Sequence, residues 1–225
     1  MNKSSFSGVD LKIWALFTMF IDHVGAVLIE NTYLYSLESF QMLDVVLRLI
    51  GRLAFPIYAF LLVEGFLHTS SWKKYAFRMF AFALLSELPF DMAAYGRIYW
   101  KHQNVFFTLL IGLIVMKGIE KAEENKAAVI GVILAGCAIG YVGHVDYSFI
   151  GVLLIAVLYL LRGDHKKRCI VGGALFAYEV TSIFAFMMIY RYNGKKGETR
   201  IPKIVFYGFY PAHLLLLWLV RIVCF

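Results

Sequence analysis

The sequence predicts an all-α fold: a polytopic helical membrane protein with about eight transmembrane helices, some of them kinked or interrupted. Three observations predict it. Of the 225 residues, 61% are hydrophobic and only 16% are charged, where an ordinary soluble domain carries roughly a quarter charged residues. The mean hydropathy is +0.72. Apolar windows near the roughly 20 residues that a helix needs to cross a hydrocarbon core recur along the whole chain.

The expected spans are 11–29, 43–67, 73–94, 104–119, 126–143, 147–162, 168–190 and 203–224. No linker or low-complexity run divides them, so a single integral-membrane domain over 1–225 is expected. The first span has the charge-then-apolar order of a signal peptide, but no small-residue cleavage site follows it. It is expected to remain as a helix.

Lysine and arginine counts give an orientation, because cytoplasmic connections are enriched in them. Lys3 and Lys12 lie at the N-terminus, Lys73 and Lys74 between the second and third spans, and Lys117, Lys121 and Lys126 between the fourth and fifth. Arg162, Lys166, Lys167 and Arg168 lie between the sixth and seventh, whereas 30–42 and 143–147 have none. Eight spans with both termini in the cytoplasm follow. One connection resists this: Arg191, Lys195, Lys196, Arg200 and Lys203 would then lie outside. Either 168–190 crosses twice as short, interrupted helices, or those charges override the bias.

The net charge of +7 falls in short clusters between apolar runs. That pattern fits topology and contact with lipid headgroups, not a nucleic-acid partner. Cys137, Cys169 and Cys224 have no paired spacing and read as small buried side chains. The histidines are scattered, and no HExxH, P-loop or GxSxG pattern is present, so no metal site is expected.

The most informative residues are Asp22 and His23, adjacent within the first apolar run. An ionisable group at mid-membrane costs roughly 2.5–3.5 kcal/mol even on the mildest scale, so such groups usually line an interior site. Neighbouring helical residues point about 100° apart. Asp22 shares a face with Thr18, Met19 and Ala26, whereas His23 looks toward Phe20 and Val27. Each needs its partner from another helix, and Arg52, Glu64 and His213 are the candidates. A buried histidine suits general-base chemistry near neutral pH; a polar pair satisfied by interhelical hydrogen bonds is the plainer alternative.

In the second span Arg48 and Arg52 lie four residues apart, with Pro56 a turn further on. A proline there frees a carbonyl and kinks the helix. The arginines suit phosphate or carboxylate; alternatively Arg48 snorkels to the interface and Arg52 pairs with Glu64 or Glu87. Glu179 reads as a structural ion-pair partner. Asn104 and Thr108 share a helical face, and Asp146 opens the sixth span, where a helix cap explains it as readily as chemistry. His213 follows Tyr210 and Pro211 in the last span, with structural and catalytic readings both open. Tyr192, Asn193, Gly194, Lys195, Lys196 and Gly197 form a basic glycine-containing turn that suits phosphates or simply a solvated surface.

As a set these segments resemble the TraX family of membrane proteins. The matching stretches are LKIWALFTMFIDHVGAV (11–27), RLIGRLAFPIYAFLLVEGF (48–66), KKYAFRMFAFALLSELPFD (73–91), NVFFTLLIG (104–112), DYSFIGVLLI (146–155), YNGKKG (192–197) and FYPAHLLLL (209–217). They run in family order over most of the chain; 120–145 and the part around 169–190 match only in being apolar.

TraX is known as the acetylase of the amino terminus of conjugative pilin, and the family looks related to a wider group of membrane acyltransferases. The resemblance implies acyl transfer from acetyl-CoA to an amine or hydroxyl of a peptide or glycan acceptor at or across a bacterial cytoplasmic (inner) membrane. It implies His23, Asp22 and His213 as catalytic residues and Arg52, Arg48, Lys195, Lys196, Asn193 and Tyr192 as donor-binding residues. Glu64, Asn104, Asp146 and Tyr210 are the candidates for contacting the acceptor. Expected partners are membrane lipids, the acyl donor and an unidentified acceptor, with the oligomeric state open. A proton-coupled transporter and a non-catalytic assembly factor are the competing readings; no internal repeat supports the transporter.

Overall fold

The computed structural model describes residues 5–122 and 124–225; Lys3 lies outside them. Among the described residues the secondary structure is helical, with two isolated bridges and no β-strand. This is the all-α membrane architecture that the composition predicts. The residues cluster into two compact units. The first holds the stretch up to Tyr58 together with Leu85–Tyr99 and Phe176–Phe225, and the second holds Ala59–Leu84 and Trp100–Leu175.

In the first unit, α1 (Gly8–Val24) opens with a capping box: the Asp10 N–H donates to Ser7 Oγ at 3.2 Å, and the Ser7 N–H donates to Asp10 Oδ2 at 2.8 Å. The next two orphan donors go to the basic turn, Gly8 N–H to the Lys195 carbonyl and Val9 N–H to the Lys196 carbonyl, both at 2.9 Å. Phe6 extends the contact by donating to the Arg191 carbonyl and accepting from Asn193 N–H. Gly197 has φ +77°, and a Cβ there would collide with the Ser7 hydroxyl; glycine meets both demands. The start of α1 and the basic turn therefore form one end of this unit.

Beyond Val24 the helix widens into a π-turn, Gly25–Glu30, and a 3₁₀ turn, Tyr33–Ser36, leads to α2 (Glu38–Gly51). The helices α1 and α2 pack antiparallel through two glycines. A Cβ on Gly51 would overlap the Asp22 side chain, and one on Gly25 would meet Asp44 Oδ1 at 2.6 Å. Each acid thus lies on the bare backbone of the other segment.

The stretch expected as one span, 43–67, is broken at Arg52–Leu53 before α3 (Ala54–Leu67). Pro56 lacks the N–H that would bond the Arg52 carbonyl, so it starts a new helix. The stretch expected at 168–190 is likewise two short helices, α8 (His165–Leu175) and α9 (Ser182–Tyr190). At 1.5 Å per residue each is about half the roughly 30 Å core in length.

The last helix, α10 (Lys203–Cys224), runs in the same direction as α1. The contacts rise together along both: Lys12 over the Phe206 ring at 4.9 Å, Phe20 on Phe209, His23 on His213, and Tyr33 on Phe225 at 5.9 Å. Arg221 closes the far end, donating to the Met92 and Ala93 carbonyls in the last turn of α4 (Trp72–Tyr95). This corrects the expectation of two termini on one side. That arrangement needs α1 and α10 antiparallel, and the basic turn docked on the start of α1 prevents it.

In the second unit α5 (Val105–Ala122), α6 (Lys126–Val142) and α7 (Ser148–Leu160) pack together. Gly112 sits against Ile155, Gly118 against Val132 and Gly136 against Val115, too close in each case for a Cβ. Small residues at such seams let membrane helices approach. Lys117 over Trp72, Phe66 on Tyr159 and Arg162 over Tyr159 bring three of the basic connections to one end of this unit.

By length and composition, Gly8–Glu30, Glu38–Leu67 and Ile204–Cys224 are long and apolar enough to cross a membrane, and Lys126–Val142 and Ser148–Leu160 are shorter apolar helices. The parallel α1 and α10 predict that reporters fused after Phe225 and before residue 1 report opposite sides of the membrane. The same side for both would overturn the arrangement. Gly51→Ala should lower stability in detergent unfolding by about 1–3 kcal/mol, the usual range for overpacking. Gly131→Ala, with nothing within 4 Å of its Cβ, should be neutral or raise stability by up to ~1 kcal/mol. Equal responses would refute the acid-on-glycine packing.

Candidate active site

Asp22 and His23 leave α1 in different directions, as helix geometry requires. Asp22 turns to α2: Arg48 Nη1 donates to Asp22 Oδ2 at 2.5 Å, and Arg48 Nε lies 3.3 Å from Glu30 Oε1. The guanidinium also reaches the Asp22 carbonyl at 3.4 Å. Asp44, one turn before Arg48, is only 4% exposed and shares a carboxyl contact with Glu30. One guanidinium therefore sits among three carboxyl groups. The Arg48–Asp22 pair is half-buried, its side chains 26% and 19% exposed.

His23 turns to α10, where His23 Nδ1 lies 2.7 Å from His213 Nε2. The second nitrogen of His213, Nδ1, lies 2.7 Å from the Phe209 carbonyl. A carbonyl only accepts, so His213 Nδ1 carries the proton and its Nε2 is the acceptor. His23 Nδ1–H then donates to His213 Nε2, which leaves the His23 lone pair on Nε2. The tautomers thus follow from one backbone carbonyl.

Aromatic rings enclose the pair. Phe209 stacks on His213 at 4.8 Å, Phe20 meets it edge-on at 6.0 Å, and Tyr210 lies 5.8 Å from both imidazoles. His213 is 4% exposed. These apolar walls limit water around the His213 imidazole.

Arg52 does not pair with Glu64 or Glu87. Its Nη1 donates to Glu179 Oε1 at 3.0 Å, in the turn between α8 and α9, and Thr181 Oγ1 donates to the Leu49 carbonyl beside it. Glu179 is thus the structural partner expected. Glu64 binds Arg168 at 3.0 Å in the second unit.

Of the residues singled out from the sequence, Asp22, His23, Arg48, Tyr210 and His213 come together in the first unit. Lys195, Lys196, Asn193 and Tyr192 belong to the same unit but sit at the start of α1. At 1.5 Å per residue that is about 22 Å along the helix from His23. The lysine side chains are exposed while their carbonyls hold α1. Asn104 and Asp146 lie in the second unit. Asn104 Nδ2 donates to the Ala83 carbonyl and its Oδ1 accepts from Phe106 N–H, and the Asp146 carbonyl accepts from Thr108 Oγ1. These are helix-capping and interhelical roles.

Sequence reasoning missed Glu30, Asp44 and the π-turn. Asp44 had a readable signal, an acid four residues before Arg48 on one helical face. The π-turn, a feature frequent at functional sites, starts two residues after His23.

The chain matches the model of the TraX protein family over residues 7–221. It is similar to the "Probable fimbrial assembly protein FimC, serogroup H1" of Dichelobacter nodosus, at 28% identity over 94% of each chain. No solved structure matches it. The family match begins at the capping serine of α1 and ends at Arg221, which closes the last turn of α4, so it takes in both histidines and the basic turn: the chain belongs to the TraX family.

Proposed function

We propose that this protein is a membrane acyltransferase that moves an acetyl group from acetyl-CoA to an amine or hydroxyl of a peptide or glycan acceptor, in a bacterial inner membrane. The observation that carries the reading is the His23–His213 pair, which leaves a lone pair on His23 Nε2 beside the Tyr210 ring. Among the described residues His23 Nε2 makes no hydrogen bond, which suits a nitrogen that accepts a proton from substrate.

His23 Nε2 takes the proton from the acceptor N–H or O–H as that atom attacks the thioester carbonyl. The tetrahedral adduct collapses with cleavage of the C–S bond, and the thiolate leaves with the proton returned from His23. His213 positions His23 by holding the Nδ1–H. Asp22 takes another part: it binds Arg48 and locks α1 against α2. In a covalent variant His23 Nε2 attacks the carbonyl itself and relays the acetyl group, giving ping-pong kinetics.

The exposed Lys195 and Lys196 suit the phosphates of the donor. Their distance from His23 along α1 fits an elongated donor whose anionic end and reactive thioester are far apart. The relative's description as a fimbrial assembly protein supports a pilus-type polypeptide acceptor. It equally favours a second reading, a non-catalytic assembly factor.

Purified protein in lipid nanodiscs, incubated with radiolabelled acetyl-CoA and candidate pilin peptides, separates the two. Wild type should transfer label, and His23→Ala should lose about 10²–10⁴-fold, the usual contribution of a positioned general base. His213→Ala should lose activity, and His213→Gln should recover part of it, because its amide oxygen can accept the Nδ1–H. A His23→Ala protein that unfolds like wild type and keeps full activity would remove His23 from the chemistry. Absence of both transfer and CoA binding would leave the assembly reading standing.

A further inference from the structure

The second unit contains a cavity of about 340 Å³ at the end where its basic connections meet. That volume is within the ~300–1,000 Å³ range of pockets that hold small molecules. Its lining includes Ser70, Ser71, Trp72, Lys73, Lys117 and Glu120, over an apolar floor given by Phe66. Lys117 lies over the Trp72 ring and pairs with Glu120, whereas Lys73 is exposed and makes no ion pair among the described residues. The α4 helix begins at Trp72.

Two lysines and one glutamate give the lining a formal charge of +1. A phosphodiester carries one negative charge, so one such group balances the cavity. The nucleotide end of CoA carries a phosphomonoester and a pyrophosphate, several negative charges in all, and this lining does not match it. The setting favours a lipid. Tryptophan and lysine beside apolar helices mark the headgroup level, and basic pockets among membrane helices are where anionic headgroups dock. We propose that this cavity binds the phosphodiester headgroup of an anionic glycerophospholipid. The serine hydroxyls and the Lys73 ammonium hold the phosphate, Trp72 and Phe66 meet the glycerol and upper acyl carbons, and the bound lipid fixes the depth of this unit in one leaflet. The site is independent of the histidine pair.

Native mass spectrometry of the full chain released from phosphatidylglycerol–phosphatidylcholine nanodiscs tests this. Wild type should retain one phosphatidylglycerol. The Lys73→Gln/Lys117→Gln variant should retain at least about tenfold less, since each basic side chain near an anionic headgroup contributes severalfold. Ser70→Phe, which fills the cavity at an exposed position and leaves its charge intact, should lose the lipid as well. Lys166→Gln/Lys167→Gln, exposed and outside the cavity, should keep it. Retention unchanged in both cavity variants would overturn the proposal. Displacement of the lipid by inorganic phosphate or by CoA would also overturn it, by assigning the site to a soluble phosphate.

Discussion

The structure depends on the contact between the first two helices, where two acids lie on two bare glycine backbones with one guanidinium between them. Charged groups at this depth persist only when paired, and pairing here requires the helices to approach more closely than any side chain at residues 25 or 51 would allow. Asp22 on Gly51 and Asp44 on Gly25 fix both the spacing and the register of α1 against α2. Arg48 pairs with Asp22 across this contact and with Glu30 beside it. Once Asp22 is committed to α2, the 100° step of the helix turns His23 away from that interface and onto α10.

The two histidines are then held from both ends. At one end the basic turn accepts the first amides of α1 and starts α10 beside it; at the other, Arg221 ties α10 to the last carbonyls of α4. Between these anchors the helices have little freedom to slide. The lone pair on His23 is oriented by a backbone carbonyl on a neighbouring helix, so no acid is needed to set the tautomer. Pro211 lies within the same helix, two residues before His213.

Much of this was legible from the chain. The helix boundaries follow the apolar runs closely, because in lipid every backbone group must be bonded within its own segment and periodicity leaves little choice. The separate partners of Asp22 and His23 followed from helix geometry, and His213 was among the partners the sequence allowed. The identity of Asp22's partner was not legible: Arg48 and Arg52 lie on one face, and only the Gly51 contact decides between them. The break between α8 and α9 appeared as an unresolved conflict in the charge pattern, since hydropathy alone reads a continuous span through Phe176–Thr181. The division into two compact units left no trace in composition, because it arises from contacts far apart in sequence.

The pairing of His23 with His213 joins residues 190 positions apart, one in the first helix and one in the last. At a synthesis rate of roughly 5–20 residues per second, the ribosome needs on the order of 10–40 s to deliver the second imidazole after the first. Until then His23 has neither its tautomer-setting partner nor the Tyr210 ring. The pair is therefore completed only when α10 enters the bilayer, and a chain truncated before α10 would lack it however well its earlier helices insert.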